Sequence, residues 1–169
     1  MLAGFSGGAV DAAEALRVRP LIETFHAEYC AALDEGRIAD WPSFFTEDAV
    51  YRITGRENAD AGLPVGLVYC EGQPMLRDRA LAIAKTEMFA PRYLLHSVSN
   101  LRILGTAGGA VTAQANYLIL QTLVDEPTRI HQAGRYFDRF VPGPAGLLLR
   151  ERHCVYDTLL IDNSLVMPV

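Results

Sequence analysis

The sequence has little cysteine, a deficit of positive charge and no long apolar run. Its 169 residues include 3 cysteines, and 15 Lys and Arg against 20 Asp and Glu give a formal net charge of −5. Phosphate binding needs clustered basic residues, and here they are interleaved with acids, so we expect no nucleic-acid partner. No run approaches the roughly 18 apolar residues of a membrane span, so we also expect no membrane association.

The cysteines and the N-terminal residues indicate the cellular compartment of the protein and the bounds of its domain. Cys30, Cys70 and Cys154 are far apart, odd in number and set among apolar neighbours, which favours buried free thiols in a reducing cytoplasm. The first residues have early glycines and no apolar core of signal-peptide length. We therefore predict a flexible arm over residues 1–20 and a single domain over residues 21–169.

The first half of the sequence is helical in character. Apolar residues recur at helical spacing over 21–33, and the pattern stops at Gly36, a residue suited to ending a helix. Asp40 precedes Trp41 and Pro42, which predicts a short second helix through residues 43–45. Further elements predicted here are a strand over 49–54, a polar loop over 55–66, a strand over 66–70 and a helix over 74–87.

The second half is strand-like and divided by short turn sequences. GTAGG, DEPT and PGPAG are typical of hairpin turns, and they separate segments over 93–104, 110–124, 129–141 and 147–160. Helices followed by such a meander indicate an α+β domain. Strands of this length must twist, so we expect a long curved antiparallel sheet wrapped as a half-open cone around the N-terminal helices.

The spacings that bind redox metals or nucleotides are not evident. A Rieske cluster needs paired Cys-x-His and Cys-x-x-His, and neither surrounds any cysteine. The sequence has no GxGxxG, no phosphate loop and no GxSxG. We therefore predict no metal and no cofactor in this chain. The four histidines show no close pairing that would suggest an iron site; they are His26, His96, His131 and His153.

A cone can nevertheless hold a small molecule between sheet and helices. A lone histidine such as His96 is more often structural than a general base, because no carboxylate lies near it in the sequence. The polar residues that strand alternation could aim inward are Tyr51, Arg92, His96, Tyr117 and Asp157.

Two further groups of residues are better explained without a catalytic role, one by packing in the core and the other by contact with a partner or a neighbouring strand. Trp41, Phe44 and Phe45 open a helix, and such aromatic groups are ordinarily core. In LLLRERH, strict alternation puts Arg150 and Arg152 on one face of a strand and charged groups on the other. Charge on both faces suggests a partner surface or an inter-strand ion-pair network.

Three stretches resemble the small (beta) subunits of Rieske-type aromatic-ring-hydroxylating dioxygenases, and the resemblance runs from about Leu21 to the C-terminus. The stretches begin at EYCAALDEGRIADWPSFF, MLRDRALAIAKTEMFAPRYLLHSVSN and GRYFDRFVPGPAG. The residues that carry the resemblance are Leu33, Asp34, Trp41, Phe44, Phe45, Asp48 and Tyr51, then Arg92, His96 and Asn100, then Gly134, Arg135 and Tyr136.

The resemblance implies a cystatin-like or nuclear-transport-factor-like cone and a structural, non-catalytic role. It implies a homotrimer of small subunits that binds a large (alpha) oxygenase subunit, which carries the Rieske iron-sulfur cluster and the mononuclear iron. The sequence is most similar to the small subunits of salicylate hydroxylases and terephthalate dioxygenases. An aromatic carboxylate is therefore the expected substrate class.

Stand-alone enzymes with the same cone provide the alternative. Such dehydratases and isomerases use a general base with tyrosine hydroxyls that polarise a carbonyl, and the candidate residues here are His96, Asp34, Tyr51 and Tyr117. A third possibility is a plain ligand-binding cone. A cone sealed by side chains would favour the scaffold, and an open cavity with a paired histidine and carboxylate would favour the enzyme.

Overall fold

In the computed structural model, which describes residues 2, 4–8, 10–86, 88–161 and 165–169, the chain begins its regular structure with a long helix. Helix α1 spans Ala12–Asp34, and the Asp11 carboxylate caps it by accepting a hydrogen bond from the Glu14 amide. The predicted start at Leu21 was wrong, because this cap begins the helix nine residues earlier and Pro20 lies inside it. The flexibility of the residues before the helix stays a prediction, although Phe5 is buried against the sheet.

The remaining elements follow the predicted order with shifted ends. The prediction of a polar loop after the first strand was wrong in part, since this stretch contains a short helix. The elements are a 3-10 helix at Trp41–Phe44, β1 at Phe45–Gly55, α2 at Arg56–Asp60, β2 at Val68–Glu71, α3 at Gly72–Lys85, β3 at Arg92–Ala107, β4 at Ala110–Leu123, β5 at Arg129–Gly143 and β6 at Gly146–Tyr156. No helix in the described part of the chain is long and apolar enough to cross a bilayer.

The six strands form one mixed sheet in the order β2-β1-β6-β5-β4-β3. Strands β3 to β6 are the predicted antiparallel meander, with Gly108 and Gly109 in the left-handed region at the first turn. Strand β1 pairs with β6 in parallel, for example Tyr51 beside Arg152. The prediction of a purely antiparallel sheet was therefore wrong for this one pair of strands. The pair joins the two halves of the sequence.

The core lies between the inner face of the sheet and helices α1 and α3. Trp41 and Phe45 are buried there, which confirms their assignment to the core, while Phe44 is partly buried against them. Val169, at the far end of the sequence, is also fully buried in this core. Side chains from the first half of the sequence and from Val169 therefore fill the inside of the α+β cone.

Strand β6 departs from strict alternation at Arg150. Leu149 pairs with Phe45 on β1 and with Phe140 on β5, and the register with both strands shifts before Glu151. Such a shift is a β-bulge. Arg150 is exposed and contacts Asp48 at 3.2 Å, whereas Arg152 is fully buried. The prediction that the two arginines share one face was therefore wrong.

Candidate functional site

Asp34 and His96 form the most direct pairing among the candidate residues. Asp34 ends helix α1 and His96 lies in the edge strand β3; the His96 ring Nδ1 is 2.6 Å from Asp34 Oδ1. The His96 main-chain N–H also donates to the carboxylate, at 3.1 Å and 3.0 Å from its two oxygens. An ionised carboxylate only accepts hydrogen bonds, so the ring proton lies on Nδ1. The partner that the sequence did not reveal is 62 residues away.

The pair holds the end of α1 against the edge of the sheet. The His96 side chain is fully buried and the Asp34 side chain is 18% exposed. His96 Nε2 is buried and has no hydrogen-bond partner within the described residues. The arrangement can fix the end of α1 in place against β3.

The two candidate tyrosines bind elsewhere. Tyr51 exchanges hydrogen bonds with the main chain of Val169, and the Tyr117 hydroxyl donates to the Gln132 side chain at 2.8 Å. Burial raises the pKa of both phenols well above the usual value, so they stay protonated. Among the described residues, no hydrogen bond links either tyrosine to the histidine–carboxylate pair. The four candidates therefore do not form one directly bonded site.

Arg92 and Asp157 do not point into the cone as alternation suggested. Asp157 forms surface ion pairs with Arg56 at 2.6 Å and with Arg135 at 3.4 Å. Arg92 donates to the Gln121 side chain at 3.1 Å, and its own side chain is only partly buried. Asp157 therefore stabilises the end of β6 at the surface, and Arg92 with Gln121 lines a small cleft of about 230 Å³ at the ends of β3 and β4.

The charged strand β6 takes part in an inter-strand ion pair, one of the two alternatives that its sequence suggested, but the pair is buried in the middle of the sheet and its partner on β5 was not predicted. Arg152 binds Asp138 through two hydrogen bonds of 2.8 Å, and both side chains are buried. The guanidinium lies between the rings of Tyr29 and Tyr136, at 4.3 Å and 4.1 Å from their centroids. Although burial opposes its charge, Asp138 holds the pKa of Arg152 well above the ordinary value. The RERH sequence was the available signal, but only the register identifies the partner.

His26 completes this buried cluster on the helix side. Its Nδ1 accepts from Arg152 at 3.2 Å, and its ring stacks on Tyr136 at 5.9 Å between centroids. Burial and the nearby guanidinium hold the pKa of His26 well below its usual range, so the ring is neutral. A neutral imidazole here acts as an acceptor that supports the ion pair.

Two clefts open beside α1, and neither resembles a metal centre. One of about 500 Å³ lies between α1 and β3 and is lined by residues that include His26, Cys30 and His96. The other, of about 610 Å³, lies between α1 and the turn that joins β5 to β6. Within residues 10–86, 88–161 and the other described positions, no group of three potential metal ligands occurs. The three cysteines are free and buried.

Comparisons with known proteins identify relatives of the whole domain. The SnoaL-like domain family matches residues 14–153. The small subunit of anthranilate 1,2-dioxygenase from Burkholderia cepacia is 37% identical over 83% of this chain and 88% of that protein. A beta subunit of the terminal oxygenase component of terephthalate 1,2-dioxygenase from Comamonas is 28% identical over 88% of this chain and 96% of its own length.

A solved structure agrees with these sequence matches. It is assigned as the beta subunit of an aromatic-ring-hydroxylating dioxygenase from Novosphingobium aromaticivorans, and it is 37% identical to this chain. It superposes with a TM-score of 0.84 over 92% of this chain and 99% of that one. The similarity therefore extends over nearly the whole length of both proteins.

Proposed function

Because the chain belongs to the small subunits of aromatic-ring-hydroxylating dioxygenases, within the SnoaL-like domain family, we propose that it is a structural subunit that assembles with a large oxygenase subunit. The Rieske cluster and the mononuclear iron belong to that large subunit in this proposal. The described residues fit neither group, since the cysteines are separate buried thiols and no three histidine, cysteine or acidic side chains among these residues lie together as ligands. Burial raises the pKa of Cys30 to about 11, which disfavours the thiolate that an iron-sulfur cluster would need.

An apolar region on the outside of the sheet carries the proposal of assembly. Leu95 and Ile130 both pair with Leu120 across β3, β4 and β5, and they are 56% and 63% exposed. Tyr93, two residues before Leu95 on the same face, is 78% exposed. A contiguous apolar surface of this kind is unusual on a monomer. We call Tyr93, Leu95 and Ile130 the outer patch, and we assign it to contacts within a homotrimer.

The relatives and the buried thiols support a proposal for the substrate class and the location. Anthranilate and terephthalate, which name two of the relatives, are both aromatic carboxylates. The complex in our proposal accordingly oxidises an aromatic carboxylate. Buried free thiols agree with a reducing cytoplasm, which is where we place the protein.

The outer patch gives a direct test of assembly. We expect the purified chain to form a trimer, and Leu95→Asp to dissociate it to monomers at micromolar concentration, because the substitution puts a charge in a desolvated contact. Size-exclusion chromatography with light scattering measures both masses. Leu81→Asp is the matched control, since Leu81 is 59% exposed on α3 and outside the patch. A wild-type chain that stays monomeric with and without its large subunit would contradict the proposal.

The Asp34–His96 hydrogen bond supports a second candidate, an acid–base enzyme of the dehydratase or isomerase class. His96 would be the base, Asp34 its orienting carboxylate, and Tyr51 and Tyr117 the remaining candidates. We propose instead that the pair is structural, because the His96 side chain is fully buried and both tyrosines bind other groups.

These two roles for His96 predict different results. We expect the wild-type chain alone to convert no hydroxylated or keto aromatic compound without iron and a reductant. We expect His96→Ala to lower the unfolding midpoint, because it breaks a bond to a charged carboxylate worth roughly 1.5–3 kcal/mol. Substrate turnover by the wild-type chain that His96→Ala abolishes would establish the enzyme instead.

A further inference from the structure

A cleft of about 370 Å³ lies on the outer face of the sheet, outside the cone. Phe137 of β5 and Val155 of β6 form its floor and are buried there. Their neighbours Tyr136 and Cys154 belong to the core inside the cone. Because successive side chains of a strand point to opposite faces, Phe137 and Val155 point away from that core. The cleft therefore has an apolar floor that the core does not use.

Apolar walls and three cations surround this floor. Leu2 and Ala59 pack against the same apolar cluster and line the cleft. The cations are Arg56 of α2, Arg102 of β3 and Arg135 of β5. The volume is within the range of roughly 300–1,000 Å³ that is typical of small-molecule pockets. We call this site the arginine cleft.

The arginine cleft carries more positive than negative charge. Asp157 is shared between two of its cations, at 2.6 Å from Arg56 and 3.4 Å from Arg135. Asp60 is the acidic residue in the lining itself. Three guanidinium groups therefore face two carboxylates, and one positive charge is in excess. This excess is local, since the whole chain has a net charge of −5.

Arg102 provides the hydrogen-bond donors for a ligand. Within the described part of the chain, its guanidinium forms no ion pair and no hydrogen bond, and neither does the side chain of Gln114. The register places Gln114 beside Arg102 on one side and beside Phe137 on the other. Two unused donors thus lie next to the apolar floor. A carboxylate suits them, because a guanidinium can donate to both of its oxygens.

We propose that the arginine cleft binds a small aromatic carboxylate, with the carboxylate on Arg102 and Gln114 and the ring on the apolar floor. Guanidinium groups also stack on aromatic rings, which favours an aromatic over an aliphatic body. Arg102 and Phe137 are two strand spacings apart, roughly 9–10 Å, which a molecule the size of benzoate spans with its hydrogen bonds.

The arginine cleft is separate from the surface assigned to assembly. It lies around Gln114 of β4, whereas the outer patch lies around Leu120 of the same strand. The cleft adds a ligand site to the structural role proposed above. It depends neither on that role nor on the substrate class of the complex, because only residues of this chain define it.

Titration of the full chain with benzoate tests the arginine cleft. We expect saturable shifts of the main-chain amide signals of Gln114, Phe137 and Val155 in ¹H–¹⁵N NMR spectra at low salt. Benzamide has the same ring without the charge, and acetate has the charge without the ring. Both should therefore bind at least about tenfold more weakly than benzoate. Benzamide or acetate binding as strong as that of benzoate, or no saturable shift at these amides, overturns the proposal.

Arg102→Gln identifies the residue that binds the carboxylate. We expect benzoate binding to weaken about tenfold, because charge-assisted hydrogen bonds are lost. The unfolding midpoint in urea should not change, since the exposed Arg102 side chain bonds to no other described residue. Arg150→Gln, at an exposed arginine outside the cleft, is the matched control and binds benzoate as the wild type does.

Two results with these variants would overturn the proposal. The first is equal benzoate affinity of Arg102→Gln and the wild-type chain, because the carboxylate would then not lie on Arg102. The second is an equal loss of affinity in Arg102→Gln and Arg150→Gln, because general attraction to positive charge would then explain the binding.

Discussion

Replacing Asp138 with alanine should lower the free energy of unfolding by about 3–5 kcal/mol, which is the cost of leaving a buried charge without its partner. Arg152 has no exposed surface, and Asp138 supplies both of its short hydrogen bonds. The neutral His26 accepts one further bond but cannot neutralise the guanidinium. Urea unfolding followed by circular dichroism measures the loss.

Two control variants separate this effect from general damage to the sheet. Arg150, two residues before Arg152 on β6, forms an exposed ion pair with Asp48 of β1, so Asp48→Ala should cost at most about 1 kcal/mol. The double variant Asp138→Leu with Arg152→Met should recover most of the lost stability, because it removes both charges together. If the double variant is less stable than Asp138→Ala alone, the uncompensated charge of Arg152 is not the cause of the stability lost in Asp138→Ala.

Substituting alanine for Gly134 should destabilise the protein by about 3 kcal/mol, at the upper end of ordinary overpacking. An added Cβ would lie 2.3 Å from the Val155 carbonyl oxygen and 2.8 Å from both the Tyr156 Cα and the Tyr117 hydroxyl. Two of these neighbours are main-chain atoms of the paired strand β6, so they cannot move without opening the sheet. The unfolding midpoint in urea, at unchanged slope, reports the change.

A second glycine in a strand provides the comparison for Gly134. Gly105 lies in β3, and an added Cβ there would meet nothing within 4 Å. Gly105→Ala should therefore be neutral or stabilising by about 0.5 kcal/mol, because alanine restricts the unfolded chain. Equal losses at the two positions would show that backbone preference, not the close approach of β6, decides the outcome.

The sequence predicted those parts of the fold that depend on neighbouring residues. The turns GTAGG, DEPT and PGPAG separate strands that pair in order, and the meander is confirmed. The parallel pairing of β1 with β6 was not predicted, because no local pattern records which distant strand lies beside which. The same limit explains the bulge at Arg150, which is visible only when the register on both neighbouring strands is known.

The site was predicted as a set of residues but not as a set of contacts. Asp34 and His96 were both candidates, yet their hydrogen bond depends on where the end of α1 meets β3. Asp138 was not among the predicted site residues, since an acidic residue inside a strand pattern ordinarily lies at the surface. Composition could not show that Asp138 would be buried in an ion pair with Arg152 on the neighbouring strand.

The pairing of β1 with β6 also affects how the protein is made. Val50 lies beside Glu151, so this contact cannot form until the ribosome has synthesised most of the chain. The meander from β3 to β6 consists of neighbours in sequence and can form as a unit, whereas β1 waits with one edge unpaired. Contacts between distant segments slow folding. The first strand of this sheet is therefore among the last to join it, and until then its edge is open to pairing with other nascent chains.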